Sequence, residues 1–117
     1  MKLEEMQNYI IFALVVAFFA WRFWKFKKVK AQMSNLITQG AVIVDVRSPS
    51  EFSAGANPIS INIPLGEIDA KSKTLDKNKK IVVCCASGGR SAAAAGILKK
   101  NGFKEVINAG PWTNTLG

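Results

Sequence analysis

Residues 81–91 read Ile81-Val82-Val83-Cys84-Cys85-Ala86-Ser87-Gly88-Gly89-Arg90-Ser91, and four alanines follow at residues 92–95. The first part of this stretch is an apolar, β-branched run that is long enough only for a buried strand. The alanines after it favour a helix. The stretch therefore predicts a cysteine at the carboxyl end of a strand, in a loop leading into a helix N-terminus. Ligands bind at such places in open α/β sheets.

The loop between this strand and helix is small and rich in glycine. Gly88 and Gly89 let the backbone approach a central atom closely. Successive N–H groups in such a loop can form an anion-binding nest, which the helix dipole reinforces. Arg90 adds a fixed positive charge. Together these features favour the thiolate form of Cys85, which is the nucleophilic form of cysteine.

This loop resembles the active-site loop of the rhodanese family, the single-domain sulfurtransferases, where four loop residues and usually an arginine follow a cysteine. The resemblance implies that Cys85 and Arg90 are catalytic and that Cys85 carries a sulfane sulfur as a persulfide. Inward-pointing N–H groups can stabilise this small anion without side-chain chemistry, and no cofactor is expected. The implied loop that binds substrate and persulfide consists of Ala86, Ser87, Gly88, Gly89 and Ser91.

A second family signature is Asp45-Val46-Arg47-Ser48-Pro49-Ser50-Glu51-Phe52, which begins at the end of an apolar strand. The family has a similar Asp-Val-Arg followed by a glutamate and an aromatic residue. We expect Arg47 and Glu51 to pair across a turn at Pro49. We also expect Ser50 to cap a short helix that begins at Glu51. Asp45, Arg47 and Glu51 are predicted to support the structure rather than to take part in catalysis.

The resemblance extends over nearly all of residues 31–117. Within it, Ala56 stands where the family usually has histidine, and Ile59 replaces a glycine. These departures concern the shape of the substrate groove more than the fold. Residues 31–39 are predicted to form a short helix, and residues 103–108 the last strand. The predicted fold class is α/β, a small doubly wound parallel sheet flanked by helices and preceded by one transmembrane helix.

The N-terminal part is predicted to be a membrane anchor. Residues 1–7 are short and polar, residues 8–26 are apolar enough for a transmembrane helix, and residues 27–30 are a basic juxtamembrane segment. A helix over residues 8–24 would span roughly 25 Å. The basic flank predicts a single-pass protein of a bacterial-type plasma membrane, with the N-terminus outside and the domain in the cytoplasm. A signal peptide, an in-plane helix and a buried core helix are the alternatives.

Composition excludes several classes of function. The sequence has no histidine, so Cys-His catalysis is excluded, and with two cysteines a metal site is not expected. The net charge is +8, but the lysine-rich residues 71–80 lack interleaved aromatics, so no nucleic-acid partner is predicted. Cys84 is interpreted as a buried packing residue rather than a resolving thiol. Free thiols fit a reducing compartment.

The sequence therefore predicts a membrane-anchored sulfurtransferase. Its expected partners are a small anionic sulfur donor such as thiosulfate, a thiol, cyanide or protein acceptor, and the lipid bilayer around residues 8–26. A phosphatase with a related loop is one alternative, but those loops place five residues between cysteine and arginine and this one has four. A membrane-tethered sulfur carrier or interaction module without turnover is the other alternative, and it stays open.

Overall fold

A four-stranded sheet lies at the centre of the computed structural model, which describes residues 2–117. All strand pairs are parallel, and the strand order is β2-β1-β3-β4. The strands are β1 Val42–Asp45, β2 Ile61–Asn62, β3 Ile81–Cys85 and β4 Val106–Pro111. The predicted parallel α/β sheet is therefore confirmed. Strand β3 is buried along its whole length, and it ends at Cys85.

Helices cover both faces of the sheet. They are α1 Leu3–Thr38, α2 Pro49–Ala54, α3 Ile68–Lys71 and α4 Gly89–Lys100. Short 3₁₀ turns occupy Leu65–Glu67, Ser72–Thr74 and Trp112–Leu116. The helix that follows the cysteine loop, α4, begins directly after Gly88. The positive φ of Gly88, 106°, is a left-handed conformation that glycine adopts without the steric cost of a β-carbon.

Side chains alternate along β3 and divide the core into two clusters. On one face, Ile81, Val83 and Cys85 pack with α4 and α3 through residues that include Ala94, Leu98 and Ile68. On the other face, Val82 and Cys84 pack against the end of α1. The two adjacent cysteines therefore point to opposite sides of the sheet.

Helix α1 continues without a break from the apolar segment to the sheet. Residues 31–38 are helical as predicted, but they are the end of this long helix rather than a short helix of their own. Its contacts with the domain recur every three or four residues, as one face of a helix requires. Along this stripe Arg22 and Phe26 are half-buried, and Val29, Met33 and Leu36 are buried. The first half of α1 has an 18-residue apolar window of mean hydropathy 1.6, none of which is buried.

Two further boundaries differ from the sequence predictions. Helix α2 begins at Pro49, and Ser48 rather than Ser50 is its N-cap. The reason is a reciprocal capping box, in which the Ser48 Oγ accepts from the Glu51 N–H and the Glu51 carboxylate accepts from the Ser48 N–H. The last strand runs over Val106–Pro111 instead of residues 103–108, because Phe103 is buried beneath α4 rather than paired in the sheet.

Candidate active site

The sulfur of Cys85 lies inside the turn that joins β3 to α4. The Gly88 N–H donates a hydrogen bond to the Cys85 Sγ with an N···S distance of 2.9 Å. The main-chain N–H groups of Ser87 and Ser91 also stabilise the sulfur. The loop thus presents amide donors, at the N-terminal end of a helix, to an atom that can carry negative charge. The Cys85 side chain is only 1% exposed.

Two hydrogen-bonding side chains, Ser91 and Asn108, connect this sulfur to strand β4. The Ser91 Oγ lies 3.4 Å from the Cys85 Sγ and donates to the Asn108 Oδ1 over 2.7 Å. The Asn108 Nδ2 donates in turn to the Gly88 carbonyl. A hydroxyl has one proton, so Ser91 can give it either to Asn108 or to the sulfur. When Cys85 is a thiolate, the Ser91 hydroxyl can rotate so that its proton points to the Sγ. The Asn108 Oδ1 then still accepts a hydrogen bond from the Gly110 N–H.

The two cysteines have opposite titration behaviour. Burial raises the pKa of Cys85, but hydrogen bonds from the Ser91 hydroxyl and from the amides of Ser91, Gly88 and Ser87 outweigh that effect and lower the pKa below its ordinary value. At Cys84, burial is again the largest cause and the nearby Asp45 carboxylate adds to it. Together they raise the pKa to about 12. Of the two thiols, Cys85 is thus the one whose surroundings favour the thiolate, the nucleophilic form of cysteine.

Arg90 closes the loop through an ion pair with Glu51. Its Nη1 and Nη2 lie 2.7 and 2.9 Å from the two oxygens of the Glu51 carboxylate. The hydrogen bond from Arg90, followed by those from Ser48, lowers the pKa of Glu51 to about 2. This pairing replaces the predicted one between Arg47 and Glu51, which was wrong. It ties the start of α4 to the start of α2.

Arg47 pairs instead with Asp45 inside the protein. Its Nη2 lies 2.8 Å from the Asp45 Oδ2, and both side chains are almost wholly buried. The Arg47 Nη2 also donates to the Gly55 carbonyl over 2.7 Å, and the guanidinium lies 4.9 Å from the Trp112 ring centroid. A buried pair needs such further hydrogen bonds to offset desolvation. Asp45 and Arg47 thus hold the β1–α2 turn beside the Cys85 loop.

The side of the loop that faces α1 is covered by side chains from that helix. A β-carbon on Gly88 would lie 2.9 Å from the Arg22 Nη2 and 2.9 Å from the Phe26 Cζ, and one on Gly110 would lie 2.8 Å from the Phe26 Cδ2. A cleft of about 440 Å³ opens between helix and loop, lined by Phe19, Arg22, Phe23, Phe26, Ser87 and Gly89. The absence of a β-carbon at Gly88 and Gly110 lets the Arg22 and Phe26 side chains lie close to the backbone. Glycine also tolerates the positive φ of both residues.

The structure brings all the predicted loop residues around Cys85 but distinguishes their roles. Ala86 and Ser87 have exposed side chains, Ser87 contributes its main-chain N–H, and Ser91 contributes both its hydroxyl and its main-chain N–H. Sequence reasoning missed Asn108, Arg22 and Phe26. Asn108 could have been found as a polar residue near the end of a strand next to β3. Arg22 and Phe26 carried no such signal, because they lie in a segment that was expected to contact lipid.

Several known proteins have sequences similar to this chain. A model of the rhodanese-like domain matches residues 29–110. YrkF of Bacillus subtilis strain 168, a candidate sulfur carrier protein, is 43% identical over 75 residues, which are 61% of this chain and 40% of YrkF. YtwF of the same strain, a candidate sulfurtransferase, is 41% identical over 64 residues, which are 55% of this chain and 62% of YtwF. The chain thus spans less than two thirds of either relative.

Solved structures share the fold. A rhodanese with anions from E. coli is 34% identical with a TM-score of 0.60, and the match covers 63% of this chain and 89% of that one. A rhodanese-related protein from Thermoplasma volcanium is 37% identical with a TM-score of 0.65, covering 74% and 86%. Because the family match extends over most of the sequence and includes the Cys85 loop, this chain belongs to the rhodanese-like domain family.

Proposed function

We propose that this protein is a membrane-anchored sulfurtransferase that carries sulfane sulfur as a persulfide on Cys85. The observation that carries the proposal is the hydrogen bond of 2.9 Å from the Gly88 N–H to the Cys85 Sγ, within a loop that lowers the pKa of the thiol. Amide donors that are already oriented stabilise a negative charge on sulfur without reorganising. The same donors suit the terminal sulfur of a persulfide.

The proposed transfer has two balanced steps. The Cys85 thiolate attacks the outer sulfur of thiosulfate, a new S–S bond forms, and the S–S bond of the donor breaks with its electron pair leaving on sulfite. An acceptor thiolate or cyanide then attacks the terminal sulfur of the persulfide and returns Cys85 as a thiolate. Arg90 keeps the loop closed through Glu51, and its positive charge favours both anionic states of Cys85.

Sulfur loading of the full chain tests this function. Protein in phosphatidylcholine nanodiscs is incubated with thiosulfate, and the intact mass is measured before and after cyanide. We expect a gain of one sulfur atom that cyanide removes. Cys85→Ser should abolish the gain, and Cys84→Ser, on the opposite face of the sheet, should retain it. A wild-type protein that gains no sulfur, or a gain that depends on Cys84 instead, would contradict the proposal.

A sulfur carrier without turnover is the second candidate, since YrkF, with 43% identity, is a candidate carrier. The enzyme and the carrier share the loading of sulfur onto Cys85, and they differ in whether the protein goes through repeated turnovers. With thiosulfate and cyanide both in excess, an enzyme produces many equivalents of thiocyanate for each protein molecule. A carrier that needs a dedicated partner produces about one equivalent and stops. Thiocyanate yield per protein therefore separates the two functions.

Membrane anchoring by residues 8–26 is supported by the exposure of the apolar half of α1. Its side chains include Ile10, Ile11, Phe12 and Leu14, each more than half exposed, and burying them in hydrocarbon is the favourable outcome. The basic residues after the span favour a cytoplasmic domain under the positive-inside rule. Protease added to intact cells should leave the domain uncut. Digestion of the domain would reverse the proposed orientation.

A further inference from the structure

A cation of helix α1 lies against the Cys85 loop. The Arg22 Nη2 lies so close to Gly88 that a β-carbon there would be 2.9 Å away, and Gly88 provides the amide that bonds the sulfur. Bond lengths therefore place this nitrogen at most about 9 Å from the Cys85 Sγ. That gap suits a small molecule whose reacting atom meets the sulfur while its other end meets the guanidinium.

Arg22 differs from the other two arginines of the sequence in having uncommitted donors. Arg90 is paired with Glu51, and Arg47 is buried with Asp45. Within residues 2–117, no carboxylate lies within 4 Å of Arg22. Its guanidinium instead lies 5.3 Å from the ring centroid of Phe26, a contact that leaves the N–H edge free.

The cleft between α1 and the loop has room for such a ligand. Its volume of about 440 Å³ exceeds the size of a sulfur oxyanion, and Ser87 and Gly89 form its loop side. Three phenylalanines form the rest of the wall, so Arg22 is the one charged group among the residues that line it. In surroundings of low polarity a charge–charge interaction is stronger than in water. The cleft thus places one strong anion-binding group beside the loop that holds the Cys85 sulfur.

We propose that Arg22 binds the anionic end of the sulfur donor, so that α1 completes the sulfur-transfer site. This inference rests on the proposed function. It specifies the donor as a sulfane-sulfur compound whose leaving group is an oxyanion, as in thiosulfate. When the Cys85 thiolate takes the outer sulfur, the electron pair of the broken S–S bond stays on the departing sulfite. A guanidinium that donates to the sulfite oxygens stabilises that departing group.

The packing of α1 holds Arg22 in this position. The same helix face is anchored further along by Val29, Met33 and Leu36, which are buried against the sheet. Arg22 lies one residue beyond Trp21, where the apolar run of the proposed anchor ends, at the depth of lipid headgroups.

Two alkylating reagents of nearly equal size test the inference without sulfur chemistry. Iodoacetate is an anion and iodoacetamide is neutral, and both react with the Cys85 thiolate. The full chain in phosphatidylcholine nanodiscs is compared with Arg22→Gln, Arg22→Lys and Lys28→Gln, and adducts at Cys85 are quantified by peptide fragmentation. Lys28 is an exposed cation of the same helix outside the cleft, so its replacement removes the same charge and is the matched control.

We expect Arg22→Gln to slow iodoacetate at Cys85 by about five- to tenfold while iodoacetamide changes less than about twofold. Arg22→Lys, which keeps the charge, and Lys28→Gln should stay within about twofold of wild type with both reagents. Equal slowing of both reagents by Arg22→Gln would assign a purely structural role and overturn the inference. So would an unchanged iodoacetate rate.

Thiosulfate loading then separates this inference from the proposed function. Arg22→Gln should raise the thiosulfate concentration for half-maximal loading by about five- to tenfold and leave the final adduct unchanged. If the wild type loads sulfur but the variant loads equally well at all concentrations, the function stands and the role of Arg22 fails. If iodoacetate discrimination depends on Arg22 while no protein loads sulfur, the anion site stands and the sulfurtransferase proposal fails.

Discussion

Cys84 and Cys85 are neighbours on β3 but belong to two different regions of the molecule. Cys84 packs with Val29 and Met33 of α1 on one face of the sheet, and its pKa rises to about 12. Cys85 lies on the other face at the end of the strand, where the amides of the loop lower its pKa. The same residue type thus becomes inert or reactive according to a single step along a strand. Burial alone does not decide reactivity, because both side chains are nearly inaccessible.

The largest expected effect is the difference in alkylation between the two cysteines. At pH 7.5, iodoacetamide should react with Cys85 at least about tenfold faster than with Cys84, because the thiolate fraction is larger at the thiol with the lower pKa. Peptide fragmentation after timed quenching measures both adducts. In guanidinium chloride, where the loop and core are lost, the two rates should become similar. Comparable rates in the folded protein would remove the distinction between the two faces.

The next largest effect is on the stability of the core at the sheet face to which Cys84 points. Met33→Ala deletes a side chain with no exposed surface and should lower the free energy of unfolding by about 2–5 kcal/mol. Thermal unfolding of the full chain in detergent, followed by circular dichroism, measures the loss. Ile37→Ala on the same helix is the matched control. Because Ile37 is 39% exposed, its replacement should cost less than about 1 kcal/mol. Equal losses would show that α1 does not pack on the sheet as described.

The next prediction compares alanine substitutions at Gly88 and Gly89, the two glycines of the Cys85 loop. Gly88→Ala should cost about 1–3 kcal/mol and slow alkylation of Cys85, because Gly88 has φ of 106° and a β-carbon would meet Arg22 and Phe26 at 2.9 Å. Gly89→Ala should be neutral or slightly stabilising, since Gly89 begins α4 and nothing lies within 4 Å of its β-carbon position. Thermal unfolding and alkylation rates of the pair report both effects. Equal behaviour of the two variants would contradict the described loop.

The smallest effect is a shift in pH dependence. The Ser91 hydroxyl favours the thiolate of Cys85, so Ser91→Ala should raise the pKa of Cys85. The alkylation rate, which rises with pH as thiolate forms, should then reach its half-maximum at a higher pH than in the wild type. Ser87→Ala should leave the profile in place, because Ser87 contributes its main-chain N–H and its side chain is exposed. A profile that Ser91→Ala leaves unmoved would exclude the hydroxyl as a donor to the sulfur.

Much of the fold and the core of the candidate site could be predicted from local sequence. The β-branched run before Cys85 and the alanines after Arg90 specify a strand, a loop and a helix within one short segment. A loop built from consecutive residues needs no distant partner, so its amide donors around the sulfur could be predicted as well.

Pairings between distant segments could not be predicted in the same way. Glu51 has Arg47 four residues before it and Arg90 39 residues after it, and the sequence spacing favoured the wrong one. Arg90 can reach Glu51 because Glu51 follows β1, Arg90 follows β3, and the ends of these two strands lie side by side in the sheet. The Arg47 guanidinium forms its ion pair with Asp45, two residues away, instead of with the Glu51 carboxylate.

The sequence by itself determined the class of fold, the position of Cys85 at the end of a buried strand and the small loop around its sulfur. These features follow from side-chain shape and backbone freedom within about ten residues. Only the tertiary structure decided that α1 runs unbroken from the apolar segment to the sheet and lays Arg22 and Phe26 over that loop. Apolar residues face lipid and a protein core alike, so hydropathy does not distinguish them. The packing of Val29, Met33 and Leu36 against the sheet sets which face of the helix meets the site.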